Sequence, residues 1–283
     1  MAEIIDGKQW AQQLNVQTKA KVDDLKARGI SPKLVVIIVG GDEASQIYVR
    51  NKHRKADKIG ILSEIKRLPA DTSQEALLSV IDGYNRDSSI HAILVQSPLP
   101  KQIDEAAITR AISPAKDVDG FHPVNVGKLY TNAKLNFPVS CTPKGIMTLL
   151  RAENVELTGA NAVVVGRSNI VGRPMAALLL NAGATVTVVH TQTKGMTDYT
   201  RQADILVVAT GIAHLIKGSD IKPGATVIDV GMDHDANGKL TGDVDFDSAF
   251  SVAGKLTPVP GGVGPMTIAT LMQQTVELAK WSE

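Results

Sequence analysis

Apolar residues along this chain follow two alternating rhythms. From about Lys8 to Arg28, Trp10, Leu14, Val22 and Leu25 recur at helical spacing, and Gly29 is placed to stop the helix. Leu34 to Val39 is instead an unbroken apolar run closed by Gly40-Gly41, the pattern of a strand buried on both faces. Similar strands are expected near Ile61–Arg67 and Ile90–Val95, alternating with helices near Glu43–Ile59 and Gln74–Arg86. Such alternation predicts βαβ units and a parallel sheet. The second half repeats it, with strands near Ala162–Val165, Thr185–Val189, Ile205–Ala209 and Thr226–Val230 and a helix near Val171–Asn181.

A chain of 283 residues accommodates two domains of about 140 residues, each with an ample core. The break is expected near Phe137–Pro143, where prolines disfavour regular structure, with a helix beginning around Lys144. The last helix, near Met266–Trp281, has apolar residues left over after the second set of strands, so it is expected to return to the first domain. Thirty basic and 29 acidic side chains leave a net charge of +1, so no global field recruits nucleic acid or an anionic membrane. No apolar run is long enough to span a bilayer, and no membrane partner is expected. The N-terminal residues read as neither a signal nor a transit peptide, and a single cysteine excludes an intrachain disulfide; both point to the cytoplasm.

The most informative segment runs from Val163 to Pro174, where an apolar strand enters a turn at Gly166, Arg167 and Ser168 and then opens an apolar helix. A glycine at a strand end lets backbone approach a ligand, and the helix N-terminus offers N–H groups and a partial positive charge to phosphate. The usual G-x-G-x-x-G spacing is absent, since Ser168 and Val171 stand where glycines are expected. Dinucleotide sites for NAD commonly carry Asp or Glu about 20 residues further on. Here the strand ends in His190-Thr191. With no carboxylate to repel a 2′-phosphate and Arg167 and Ser168 close by, NADP is favoured over NAD. A hydrogen bond to a charged group contributes about 1.5–3 kcal/mol, enough to set such a preference.

Other segments carry candidate chemistry. Tyr48 and Lys52 lie four residues apart on one helix face. Lys52 also sits in a basic stretch with Arg50, His53, Arg54, Lys55 and Lys58, and such stretches are commonly solvated. Gln96 follows a buried strand, at the end where open α/β sheets bind ligands; a rigid Pro98/Pro100 turn accounts for it equally well. Lys116, Asp117, Asp119 and His122 crowd one loop, where an Asp can pair with an amidine-like edge through two parallel hydrogen bonds. No His or Cys stands at ligand spacing there, so no metal is expected. The loop Thr257–Thr267 packs prolines with glycines, stiff and open to close contact with a ligand, or else a tight connection into the last helix. Cys141 has no dedicated base.

In order, the runs Tyr48-Val-Arg-Asn-Lys52, Gln96-Ser-Pro-Leu-Pro100, Lys116-Asp-Val-Asp-Gly120, Cys141-Thr-Pro-Lys-Gly145, Gly166 to Pro174 and Pro258 to Pro265 resemble the bifunctional methylenetetrahydrofolate dehydrogenase/methenyltetrahydrofolate cyclohydrolase family. The resemblance covers nearly the whole chain. It departs at Ser97, where leucine is usual, at Ser140, where proline is usual, and at Met232, where isoleucine is common.

The resemblance implies two α/β domains flanking a cleft. One is an N-terminal catalytic, folate-binding domain at 1–140, completed by a C-terminal helix at 266–283; the other is a Rossmann-like NADP-binding domain at 141–265. It implies oxidation of 5,10-methylene-tetrahydrofolate with NADP and hydrolysis of the methenyl product to 10-formyl-tetrahydrofolate. Lys52 is then the acid/base group, Gln96 orients it, Tyr48 positions the folate and Asp119 binds the pterin. Gly166, Arg167, Ser168, Thr191 and Met232 contact the cofactor, and Pro260, Gly261 and Gly262 join Tyr48 and Asp119 in contacting substrate. A homodimer is also implied. Lys52 has a reference pKa near 10.4, at which roughly one side chain in 2,500 is neutral at pH 7. The sequence leaves open whether it works as a lowered base or stays charged.

Overall fold

The computed structural model describes residues 1–41, 43–234 and 238–282; the side chains of 43–45, 47 and 48 also lie outside the described set. In chain order the elements begin with β1 (Glu3–Ile4), α1 (Gly7–Ala27), β2 (Lys33–Val39), α2 (Glu43–Ile59), β3 (Leu62–Leu68), α3 (Gln74–Arg86), β4 (Ala92–Val95), α4 (Glu105–Ala111) and α5 (Pro123–Tyr130). They continue with α6 (Cys141–Ala152), β5 (Asn161–Val165), α7 (Gly172–Asn181), β6 (Thr185–Val189), α8 (Met196–Thr200), β7 (Ile205–Val208) and β8 (Thr226–Asp229). The hairpin strands β9 (Asp233–His234) and β10 (Leu240–Thr241), then α9 (Phe246–Phe250), β11 (Lys255–Leu256) and α10 (Val263–Trp281), complete the chain.

Two compact units result. One comprises Gln13–Cys141 with Leu271–Glu283, the other Met1–Gln12 with Thr142–Thr270. The chain therefore crosses from one to the other within α1, between Cys141 and Thr142, and within α10.

In the unit built on Gln13–Cys141, β2 is central to a parallel sheet of order β3-β2-β4. Its unbroken apolar run follows from having both faces covered. Leu34, Val36 and Ile38 pack with Val22 and Leu25 of α1, Val49, Ala56 and Ile59 of α2, and Leu271, Met272 and Val276 of α10. Val35, Ile37 and Val39 point the other way, into Leu77 and Ile81 of α3 and Ile108 of α4. Truncating a fully buried residue such as Ile37 to alanine costs about 2–5 kcal/mol.

The other unit is a six-stranded sheet of order β1-β11-β8-β7-β5-β6, with every pairing parallel. Strand order reverses around β5, which pairs with β6 on one side and β7 on the other; crevices outside the carboxyl ends of strands at such points bind ligands. Ala2, Val163, Val165, Leu206, Val208, Val227 and Leu256 share its core.

One boundary differs from expectation. The helix expected from about Lys144 starts at Cys141, because Pro143 falls in its first turn, where a missing N–H costs nothing. Among the described residues, no helix is long and apolar enough to cross a membrane.

Candidate active site and nucleotide cradle

Lys52 stands on α2 three residues after Val49 and four before Ala56, both fully buried, so its stem lies on the helix stripe that faces the core. Its basic neighbours Arg50, Arg54 and Lys58 are exposed, whereas Lys52 is half-buried. Its Nζ donates to Gln96 Oε1 at 2.9 Å. Gln96 is fixed at both ends. Its backbone N–H extends the sheet by donating to the Ile37 carbonyl at 2.8 Å, and its Nε2 donates to the Ser97 carbonyl at 2.7 Å. With the amide nitrogen held by Ser97, the amide oxygen is the atom presented to Lys52. Burial lowers the Lys52 pKa, against the opposing fields of Asp119 and Cys141.

Asp119 therefore belongs to the same electrostatic site. Burial pushes its carboxyl up to about 6; Lys52 pulls it down and Asp117 pushes it further up. The loop that carries it is bound from within. Asp117 is buried, and its carboxylate accepts from the N–H of Phe121 (3.2 Å) and His122 (2.8 Å) and from Asn125 Nδ2 (2.9 Å). Gly120 has φ +70°, and a Cβ there would sit 2.3 Å from the Val139 carbonyl carbon. From α10, the buried Gln274 amide donates to the Val118 and Val139 carbonyls at 2.6 and 2.9 Å, and its oxygen accepts from the Val139 N–H at 3.1 Å. Cys141, also buried, directs Sγ at the Val118 carbonyl at 3.3 Å.

Asn125 and Gln274 had escaped the sequence reading. Gln274 had a signal, a polar residue inside an otherwise apolar helix face; Asn125 had none. The side chain of Tyr48 lies outside the described residues, while its backbone is part of α2, one turn before Lys52.

In the other unit, Gly166 ends β5 with φ +118°, and a Cβ there would lie 2.2 Å from the Ala209 carbonyl oxygen at the end of β7. A Cβ on Gly172, the first residue of α7, would lie 2.2 Å from the Gly166 carbonyl oxygen. Both glycines are thus required for the turn to fold back on the helix start. Ser168 Oγ accepts from the N–H groups of Val171 (3.1 Å) and Gly172 (3.4 Å). Its lone pairs take up two backbone N–H groups where the chain enters α7, and its own hydrogen remains available to donate. Arg167 is exposed and its Nη2 reaches Gln192 Oε1 at 3.1 Å, just past the end of β6. Thr191 and Met232 are exposed, following β6 and β8 respectively.

Pro260 is exposed, but Gly261 and Gly262 are buried against their own chain. The Gly261 carbonyl accepts from Lys8 N–H at 3.1 Å, and a Cβ on Gly262 would approach Thr257 Cβ to 2.7 Å. Gly261 thus packs against the start of α1, and Gly262 against its own loop.

The family model described as tetrahydrofolate dehydrogenase/cyclohydrolase, catalytic domain, matches residues 5–119, and that described as its NAD(P)-binding domain matches residues 140–283. A Lactiplantibacillus plantarum protein named bifunctional protein FolD is 66% identical over 283 residues, covering 100% of this chain and 99% of that protein. The solved bifunctional enzyme FolD, a methylenetetrahydrofolate dehydrogenase/cyclohydrolase from Campylobacter jejuni, superposes with a TM-score of 0.97 at 46% identity, covering 99% of each chain. The Trypanosoma brucei dehydrogenase-cyclohydrolase, solved with NADP and an inhibitor, superposes with a TM-score of 0.94 at 42% identity, covering 99% of this chain and 98% of that one.

Proposed function

This chain belongs to the tetrahydrofolate dehydrogenase/cyclohydrolase family, and we propose on that premise which of its residues carry each of the two activities. It oxidises 5,10-methylene-tetrahydrofolate to the 5,10-methenyl compound with NADP and hydrolyses that product to 10-formyl-tetrahydrofolate. The observation that carries the assignment is the Lys52 Nζ to Gln96 Oε1 hydrogen bond, on a half-buried lysine within the field of Asp119.

Hydrolysis requires a proton to leave the water that adds to the methenyl carbon, a proton to reach N5 as the carbon–N5 bond breaks, and the remaining hydroxyl proton to pass to solvent as the formyl C=O forms. Lys52 performs the first two transfers. Its lowered pKa raises the share of neutral amine that accepts the first proton, and the resulting ammonium delivers the second. Gln96 presents an acceptor from one fixed direction and so aims the Nζ. Asp119 accepts two parallel hydrogen bonds from the amidine-like edge of the pterin. Tyr48, one helical turn from Lys52, positions the folate, and Pro260 meets the substrate from a loop that Gly261 and Gly262 pack in place.

Gly166 and Gly172 leave the cradle at the carboxyl end of β5 that a dinucleotide backbone requires, and the exposed Arg167 and Ser168 supply a cation and a donor for the 2′-phosphate. NADP, when bound, accepts the hydride that leaves the methylene bridge. The protein's part in that step is orientation, with Met232 forming an apolar wall and Thr191 contacting the cofactor. Apart from Pro260, the folate-handling groups thus belong to the unit built on Gln13–Cys141, and the cofactor-handling groups to the unit built on Thr142–Thr270. The enzyme works as a homodimer in the cytoplasm.

The test is absorbance of the purified protein with 5,10-methylene-tetrahydrofolate and NADP, following NADPH and the methenyl compound together. NADPH formed with little methenyl accumulation, and added methenyl compound hydrolysed above its spontaneous rate, supports this reading. Methenyl accumulation in step with NADPH removes the hydrolytic role from Lys52 and Gln96.

A further inference from the structure

Two buried carboxylates in the cofactor-handling unit have no place in the scheme above. Asp243 is 0% exposed, and its oxygens accept from three consecutive backbone N–H groups after β7: Thr210 at 2.6 Å, Gly211 at 3.1 Å and Ile212 at 3.1 Å. Asp229, the last residue of β8 and 3% exposed, accepts from Gly231 at 2.9 Å, Asp243 at 3.0 Å and Val244 at 2.9 Å. Its own N–H donates to Thr257 Oγ1 at 2.7 Å.

Glycines clear the space. A Cβ on Gly231 would lie 2.5 Å from Asp243 Oδ1, and one on Gly242 would lie 1.9 Å from Asp229 Oδ2. The third acid of the group, Asp233, is raised by burial and by its contact with Asp243.

Burying carboxylates is costly, and backbone N–H groups are what offset the cost here. Well-packed apolar side chains would stabilise a loop as well, but only a multidentate acceptor sets where successive N–H groups point. What these carboxylates fix is the two loops that follow adjacent parallel strands. Each loop presents an apolar side chain to solvent, Ile212 at 48% and Met232 at 51% exposure. The three N–H groups of Thr210–Ile212 are also committed to Asp243, so they are not an anion site.

We propose that Asp243, anchored by Asp229, is a positioning residue for hydride transfer: it holds the Thr210–Ile212 loop against the Gly231–Met232 turn so that Ile212 and Met232 keep the spacing that aligns the nicotinamide ring. This rests on the reading that the carboxyl ends of β5 to β8 hold NADP. A misplacement of about 1 Å costs roughly a hundredfold in rate, while binding energy gathered elsewhere on the cofactor is retained.

The experiment compares Asp243→Asn with the unaltered protein by four readouts: kcat for methylene oxidation at saturating NADP, calorimetric Kd for NADP, Kd for adenosine 2′,5′-bisphosphate, and cofactor-free hydrolysis of the methenyl compound. The expected result is a fall in kcat of about a hundredfold, with adenosine 2′,5′-bisphosphate binding and methenyl hydrolysis unchanged. An unchanged kcat overturns the proposal, and so does an equal loss of all four together with a lowered Tm. If Asp243→Asn does not fold, Ile212→Ala, at an exposed position, decides. A fall of about tenfold in kcat with unchanged adenosine bisphosphate binding supports the clamp, and full activity overturns it. Failure of the underlying reading is separately visible, because Arg167→Ala, just past the end of β5, would then leave the Kd of both NADP and adenosine 2′,5′-bisphosphate unchanged.

Discussion

The two units handle charge in opposite ways. In the unit built on Gln13–Cys141, a lysine and a carboxylate are half-buried and electrostatically coupled, the lysine pKa lowered and the carboxylate pKa raised by burial. In the unit built on Thr142–Thr270, Asp229 and Asp243 are more deeply buried, and burial pushes Asp229 up to about 7, but their oxygens are occupied by backbone N–H groups. The exposed Arg167 and Ser168 of that unit stand on a glycine turn. The first arrangement suits moving protons, since a lysine whose pKa burial lowers gives up and regains its proton more readily than an exposed one. The second suits holding a cofactor still, which is what hydride transfer asks of a protein. Burial alone therefore does not mark a catalytic carboxylate; what matters is whether its lone pairs are already committed.

The strongest way to break this contrast is Lys52→Met. Methenyl hydrolysis is expected to fall by roughly 10²–10⁴-fold, the usual worth of a positioned acid/base group, while calorimetric NADP affinity stays unchanged. Hydrolysis at the unaltered rate would leave the first unit without its proton carrier.

On the cofactor side, Arg167→Ala is expected to weaken NADP binding by about ten- to 150-fold and NAD binding little, the difference being one charge-assisted contact to the 2′-phosphate. Equal losses for the two dinucleotides would show that Arg167 does not read that phosphate. Gln96→Ala is expected to slow hydrolysis by about tenfold, less than loss of Lys52, because it removes the aim and not the proton. An unchanged rate would make Gln96 a turn residue.

The smallest effect concerns pH. The pterin-binding role proposed for Asp119, pushed up to about 6, requires its ionised form, so substrate KM should rise as pH falls below about 6, and Asp119→Asn should flatten that limb. Stability runs the other way. With its folded pKa above the unfolded reference near 3.9, this group binds its proton more tightly in the folded state, so its contribution to stability declines as pH rises from about 4 to about 6. Melting curves of both proteins at pH 5 and pH 7 check the sign. A KM limb that persists in Asp119→Asn would belong to another group.

Much of this was legible in the residues. The apolar run Leu34–Val39 announced a strand covered on both faces, and the two opposed clusters around β2 are that reading in three dimensions. The turn at Gly166 could be read because backbone approach leaves glycine little competition. Lys52 was less clear, since a basic stretch on a helix is commonly solvated. The spacing Val49, Lys52, Ala56, Ile59 held the answer, placing the lysine on the apolar stripe while Arg50 and Arg54 face outward.

Other features had no local signal. The two-residue strand β1 pairs with β11, over 250 positions away, and is too short for any periodicity to show. The binding of Asp243 to Thr210–Ile212, and of Gln274 to Val118 and Val139, joins residues distant in sequence. Only the folded backbone brings such donors to their acceptors.

Both activities share the folate-binding groups, but proton transfer and cofactor binding rest on separate residues, and one crossed measurement decides whether that separation holds. Lys52→Met and Arg167→Ala are each assayed for NADPH formation from 5,10-methylene-tetrahydrofolate at limiting NADP and for hydrolysis of added methenyl compound. The account predicts opposite losses: Lys52→Met forms NADPH while methenyl compound accumulates, and Arg167→Ala hydrolyses normally while forming NADPH slowly. Parallel losses of both activities in both variants would contradict it.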